Sequence, residues 1–299
     1  MNQFSQYIKI IGRGKRAGRY LTQDEAYEAF KLLLSGKAEP EQVGAFLMLL
    51  RVREESSEEL AGFVQACREF NVPAVTELKP DLDLGCYAGK RRHLPWFVLA
   101  VICLALSGKR IFLHGTKEPD SNRLYLPEVF NQLGLPRANN PELASQYMAK
   151  FGFVYCDLPV CNPELENLIQ LRRLFGLRSP ANTLARMLNP SNAKHSFHGV
   201  FHKHFDLRHV ETARLIGDTH VACIRGEGGE VEVNPERAFK HYQLKNSDIQ
   251  QASFPVLLDN WQIKPRTLEI DELEQVWTGE QQSSYAHAAV TGTLASYLT

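Results

Sequence analysis

The chain has 299 residues, with 34 Lys and Arg against 34 Asp and Glu and a formal net charge of zero at pH 7. That balance excludes a protein that attracts a polyanion by overall charge, although it leaves room for a local patch. Hydrophobic residues make up 44% of the chain and charged ones 23%, which excludes a disordered polyelectrolyte and supports a packed core of one large or two smaller domains.

In chain order, MNQFSQYIKI lacks the apolar stretch of a signal peptide. The basic run Arg13-Gly-Lys15-Arg16 with Arg19 is no phosphate-binding GK[ST] loop. It reads equally as an arm touching phosphate and as a solvated lead-in. Thr22-x-x-Glu25 and Ser56-x-x-Glu59 are capping boxes, each followed by apolar residues at helical spacing, and Pro40 suits the first turn of a helix between them. Three short amphipathic helices in the first 75 residues predict a small bundle.

From about residue 80, short strands are expected at Leu82–Leu84, Arg110–His114, Phe151–Cys156, Val221–Arg225 and Glu230–Val233. Helices are expected at Pro95–Leu106, Leu126–Leu133, Glu164–Phe175 and Val210–Ile216. This alternation predicts an α/β fold with a mainly parallel sheet. Ser191–His209 reads as irregular, and the acidic Glu269–Glu280 as partly helical. The apolar run Trp96–Leu106 falls short of the ~20 residues that cross a bilayer. The six cysteines form no CxxC pair, so a soluble cytoplasmic protein with reduced thiols and no membrane partner is expected.

The loop Leu84-Gly85-Cys86-Tyr87-Ala88-Gly89-Lys90-Arg91-Arg92-His93 lies between a strand and an apolar helix, where α/β proteins cradle phosphate with bare glycine backbone. Here a tyrosine stands between two glycines and three cations follow. Further cations cluster at Lys109-Arg110 and at Arg172-Arg173 with Arg178 and Arg186. Each cluster reads as solvated surface or as a phosphate-neutralising groove. Tyr87, His93 and Trp96 are candidate faces for base stacking, Trp96 being also a natural core residue. His195, His198, His202, His204 and His209 lack a zinc pattern such as HExxH. Cys86 has no oriented base beside it and reads as a small turn residue, not a nucleophile.

These residues carry a family likeness. The text from Leu21 to Glu69, Leu113-His114-Gly115-Thr116, and Gly176-Leu-Arg178-Ser-Pro-Ala-Asn182-Thr-Leu-Ala-Arg-Met-Leu-Asn189-Pro190 resemble spaced segments of anthranilate phosphoribosyltransferases, of glycosyltransferase family 3. The resemblance implies the nucleoside-phosphorylase class II fold. A small helical domain, residues 1–78 joined by about 160–185, would pack on an α/β domain at 79–299, with a C-terminal helix shorter than the family's. It also implies a homodimer through the helical domain, and a cleft between the two domains toward which the loop at 90, the region of 117 and the segment 172–178 are brought.

The same resemblance places a diphosphate-binding GTGGDG on Gly85 to Lys90, where only the first glycine stays in register. It places a phosphate-binding NIST on Pro95-Trp96-Phe97-Val98, which has no hydroxyl. An acidic pair for Mg²⁺ falls near Val231 and Glu232, with Glu227 and Glu230 close by, and Arg172 matches the arginine that holds the anthranilate carboxylate. These departures resemble a side branch of the family that binds nucleic acid and lacks the transfer activity. The expectation is therefore a sequence-tolerant nucleic-acid-binding homodimer without a cofactor, contacting phosphate through Lys90, Arg91, Arg92, Lys117, Arg172, Arg173 and Arg178. The alternative is a phosphoribosyltransferase using phosphoribosyl pyrophosphate. In it Gly85, His114, Arg172 and Asn182 would face the substrates, and Glu227, Glu230 or Glu232 would hold Mg²⁺.

Overall fold

The computed structural model describes residues 3–14, 17–119, 121–259, 261 and 267–299. The chain opens with helices α1 (Ser5–Gly12), α2 (Gln23–Leu34), α3 (Pro40–Arg53), α4 (Ser57–Arg68) and the single turn α5 (Pro73–Thr76). Both capping boxes form: Thr22 accepts from the Glu25 N–H and Ser56 from the Glu59 N–H, while each glutamate reaches back to its cap. A third box, between Glu39 and Gln42, starts α3 behind Pro40. Phe4, Phe30, Phe46 and Phe63 meet in the bundle core, with ring centroids 4.9–6.1 Å apart. α2 and α4 approach closely because Gly62 has no side chain; a Cβ there would lie 2.2 Å from the Gln23 carbonyl oxygen.

Next come β1 (Leu82–Cys86), α6 (Phe97–Leu106), β2 (Ile111–Gly115), α7 (Leu126–Gln132), β3 (Arg137–Ala138), α8 (Pro141–Phe151) and β4 (Phe153–Asp157). Four short helices follow, α9 (Leu158–Cys161), α10 (Pro163–Gln170), α11 (Arg172–Phe175) and α12 (Ala181–Arg186). The chain finishes with β5 (His195–Val200), α13 (Phe205–Leu215), β6 (His220–Arg225), β7 (Phe239–Lys245), β8 (Asp248–Phe254), α14 (Asp271–Thr278) and α15 (Ser284–Leu298). One sheet holds all eight strands in the order β3-β4-β2-β1-β5-β6-β7-β8. The first six run parallel, and β7 and β8 add an antiparallel hairpin. The expected α/β class and mainly parallel sheet are thus present. β1 and β2 are buried along their whole length, as parallel strands covered on both faces must be.

Three local expectations are corrected, and one hairpin is added. Glu230–Val233 is not a strand; its glutamates turn inward to partners described below. Ser191–His209 is not irregular: it contains β5 and the start of α13. Its histidines mask the strand because His198 is buried against His209, with the two Nδ1 atoms 3.3 Å apart. Glu164–Phe175 is broken into α10 and α11. The β7–β8 hairpin escapes notice because its turn uses Asn246 and Ser247, both at positive φ, in place of glycine.

Candidate functional site

β1 sits where the strand order reverses, since the chain passes first to β2 on one side and later to β5 on the other. Loops leaving the C-terminal ends of strands at such a point form the usual ligand crevice of open α/β sheets. The loops after β1, β2 and β6 meet α11 and α12 there.

The loop after β1 is held shut. Lys90 and Leu124 exchange backbone hydrogen bonds of 2.7 and 2.8 Å, and Arg123 donates to the carbonyls of Ala88 and Gly89 at 3.1 and 3.2 Å. Gly89 adopts φ +69°, and a Cβ there would lie 2.8 Å from the Tyr125 ring. Gly85, the glycine that stays in register, packs on α12: a Cβ would stand 3.0 Å from the Arg186 Cα. Its bareness serves helix packing. Tyr87 turns inward, buried, with its hydroxyl 2.7 Å from His114 Nδ1. His93 stacks on Tyr285 at 4.1 Å and Trp96 lies in the core. None of the three aromatics offers a face to a base, which corrects that expectation; a ring in this apolar setting gains more from burial than from solvent.

Lys90 is also buried, and the expectation that it contacts phosphate is corrected. Its ammonium lies 2.5 Å from Glu227 Oε2 and 2.6 Å from Glu232 Oε1. Burial by itself would lower the Lys90 pKa, but the two carboxylates outweigh it and hold the value above that of an ordinary lysine. Burial works against the charge on Glu227 as well, and Lys90 overcomes it and holds that carboxyl low. Burial wins at Glu232, which is pushed up to about 7 because Lys90 is shared with Glu227. One cation between two carboxylates leaves an excess negative charge, and Glu232 is where a proton relieves it. The second oxygen of Glu232 accepts from the Phe97 N–H at the start of α6, at 2.8 Å. That helix N-terminus is where the resemblance puts a substrate phosphate. Glu230 accepts from the Gly89 N–H at 2.5 Å, and burial raises its carboxyl toward the neutral form.

Magnesium does not fit these residues. Glu227 and Glu232 are committed to Lys90, and Glu230 is committed at one oxygen and disfavoured as a charge. Among the described residues no group of three His, Cys, Asp or Glu side chains is arranged to hold a metal. The expected roles of Glu227, Glu230 and Glu232 as metal ligands are therefore corrected.

The second half of the crevice centres on Glu118, a buried residue absent from the sequence reading. Arg172 donates to its Oε2, Arg178 Nε lies 2.7 Å from Oε1, and Asn182 Nδ2 donates to Oε1 at 2.7 Å. Arg178 also reaches the Ala88 carbonyl at 3.4 Å. The segments around residues 90, 117 and 172–178 were expected at one cleft; Arg172, Arg178 and Asn182 do meet Glu118 there, and Arg178 reaches the loop after β1. Their charge is only partly free: Arg172 and Arg178 share the single carboxylate of Glu118, which leaves one net positive charge, and Lys117 pairs with Glu128 on α7. Asn182 is buried and engaged, and His114 is spent on Tyr87 and Asp83. Both are spent on internal partners, which corrects the alternative assignment of His114 and Asn182, as the packing on α12 corrects that of Gly85; Arg172 stays partly exposed. Cys86 is the last residue of β1, and burial pushes its thiol pKa well up, away from nucleophile behaviour.

Four expected cations stay exposed, Arg91, Arg92, Lys117 and Arg173, of which Lys117 is paired with Glu128. Two more were missed, Lys203 after β5 and Arg225 at the end of β6. Arg13 is exposed and Arg19 pairs with Glu25, while Lys15 and Arg16 lie outside the described residues. No helix among the described residues is long and apolar enough to cross a membrane.

Comparison with known proteins agrees with this architecture. The family profile "Glycosyl transferase family, helical bundle domain" matches residues 6–70. An uncharacterized protein of Aquifex aeolicus is 32% identical over 239 residues, covering 79% of this chain and 72% of that protein. The anthranilate phosphoribosyltransferase of Geobacillus stearothermophilus is 27% identical over 236 residues, covering 78% and 69%. In fold, the crystal structure of anthranilate phosphoribosyltransferase from Thermus thermophilus superposes with a TM-score of 0.80 at 20% identity, over 99% of this chain and 88% of that one. Helical bundle, mainly parallel sheet and relatives together place the chain among the anthranilate phosphoribosyltransferase-like proteins of glycosyl transferase family 3.

Proposed function

We propose that the protein is a sequence-tolerant nucleic-acid-binding homodimer on this phosphoribosyltransferase-type scaffold. The observation that carries the reading is the sign of the exposed charge above the crevice. In residues 87–96, 201–204 and 225–236, which follow the adjacent strands β1, β5 and β6, the exposed charged residues are Arg91, Arg92, Lys203 and Arg225. All are positive, while every acidic side chain there is buried. Neighbouring parallel strands lie roughly 5 Å apart, so the three loops form one ridge. Their contact is direct, since a Cβ on Gly229 would lie 3.1 Å from Phe201 Cβ and 3.5 Å from Ala88 Cβ. Cations on such a ridge displace counterions from a phosphate backbone without reading bases. Exposed Phe201 and His202 offer the ring faces that Tyr87 and Trp96 do not. Pairing of two copies through the helical domain would double the ridge.

The test is a titration of fluorescently labelled single-stranded DNA at several salt concentrations. Affinity should fall steeply and linearly on logarithmic axes. No binding at low salt removes the reading.

A second reading, phosphoribosyl transfer, has the stronger support from the comparisons, because relatives of this chain bear the name anthranilate phosphoribosyltransferase. It requires Glu118, Glu227 and Glu232 to give up their internal partners when substrates enter. Anthranilate fluorescence followed with phosphoribosyl pyrophosphate and Mg²⁺ decides it: turnover at ordinary enzymic rates establishes the transferase.

A further inference from the structure

We infer that Lys90 is a resident cation, its ammonium standing where Glu227 and Glu232 would otherwise hold a divalent metal, so that the protein's own side chain shuts this seat to metal ions. The Nζ atom lies 2.5 and 2.6 Å from one oxygen of each carboxylate. A point charge, two carboxylates and a buried setting are the elements of a metal seat, with lysine as the ion. Around it the arrangement is complete. The other Glu232 oxygen takes the Phe97 N–H at 2.8 Å, and the Lys90 backbone is locked to Leu124, so the side chain enters from a fixed direction. Lys90, Glu227 and Glu232 are each less than a tenth exposed, so the ammonium meets the carboxylates in a nearly dry setting. A covalently attached cation also cannot be diluted or chelated away, so it stays between the carboxylates under any metal supply.

Removing the ammonium should turn the seat into a metal site. Mg²⁺ and Mn²⁺ need only one or two protein carboxylates, with water completing the coordination shell. The space vacated by a lysine side chain admits that water. The inference concerns the interior of the crevice and is independent of the cationic ridge, whose test is DNA binding.

The experiment is calorimetric titration of MnCl2 into the purified full chain, checked by the loss of the free Mn²⁺ electron-spin resonance signal. Wild type should show no saturable site. Lys90→Ala and Lys90→Gln should each bind one Mn²⁺ per chain at least about tenfold tighter than wild type, and adding Glu232→Gln to either should abolish that binding. Saturable one-site binding by wild type, or no binding by a lysine variant whose circular dichroism shows it folded, overturns the inference. Should both variants unfold, the wild-type MnCl2 titration decides alone: a saturable metal site overturns the inference, and its absence supports it.

Discussion

The Tyr87 hydroxyl stands 2.7 Å from Nδ1 of His114, and Nε2 of the same ring stands 3.1 Å from the Asp83 carboxylate. The chain of contacts is satisfied when Tyr87 donates to His114 and His114 donates to Asp83, which also accepts from the Ser191 hydroxyl at 3.3 Å. All four side chains are buried. This relay ties the loop after β1 to β2 and turns the ring away from the crevice mouth. The Tyr87→Phe variant keeps the packing and leaves His114 Nδ1 unsatisfied. Its stability should fall by about 1–3 kcal/mol, measured as a lower urea midpoint with an unchanged slope.

Glu118 is the counter-charge shared by two arginines and accepts a hydrogen bond from the Asn182 amide. In Glu118→Gln the pairing of Arg172 and Arg178 is lost while their bulk stays. Both arginines keep some solvent contact, so the cost should stay below the roughly 3–5 kcal/mol of a fully buried pair, near 2 kcal/mol. The freed guanidinium groups should bind single-stranded DNA more tightly and steepen its salt dependence. Unchanged affinity would show that these arginines do not communicate with the ridge.

Charge reversal separates the ridge from the buried seat. Arg91→Glu with Arg92→Glu, or Lys203→Glu with Arg225→Glu, should weaken DNA binding and flatten its log–log salt slope by about one unit per lost phosphate contact, with little change in melting temperature. Lys90→Glu should instead unfold the protein or lower its melting temperature sharply, because three carboxylates then share one buried volume.

His198 and His209 give acid sensitivity of definite sign. Burial holds His198 down to about 4 and His209 well below the ordinary histidine value. Between about pH 6.5 and 4 the unfolded chain therefore binds protons that the folded chain refuses, and stability falls as pH falls, by about 1 kcal/mol per pH unit for each histidine. Glu55 and Glu232, raised by burial to about 7, act with the opposite sign, since the folded state binds their protons first. The informative quantity is thus the difference between wild type and His198→Asn. Urea midpoints from pH 7 to pH 4 should fall more steeply for wild type; parallel curves would show that this pair does not set the slope.

Gly62 tests the helical bundle. The van der Waals conflict of a new Cβ with the Gln23 carbonyl, 2.2 Å away, has to be relieved by separating α2 from α4. Gly62→Ala should destabilise by about 1–3 kcal/mol, read from thermal and chemical melts, despite alanine's better helix propensity.

The sequence by itself determined the helical bundle, the alternation of strands and helices, and the family likeness. Each rests on short-range signals: capping boxes three residues apart, apolar stripes, and motif spacing. Even the convergence of the segments near residues 90, 117 and 172–178 followed from the likeness. Only the tertiary structure decided which cations are free. Lys90 finds Glu227 and Glu232 across 137 and 142 positions, and Arg172 finds Glu118 across 54. A lysine or arginine reads the same in sequence whether it faces solvent or a buried carboxylate, because the partner is chosen by loop geometry and by the high cost of leaving either charge alone in a dry interior.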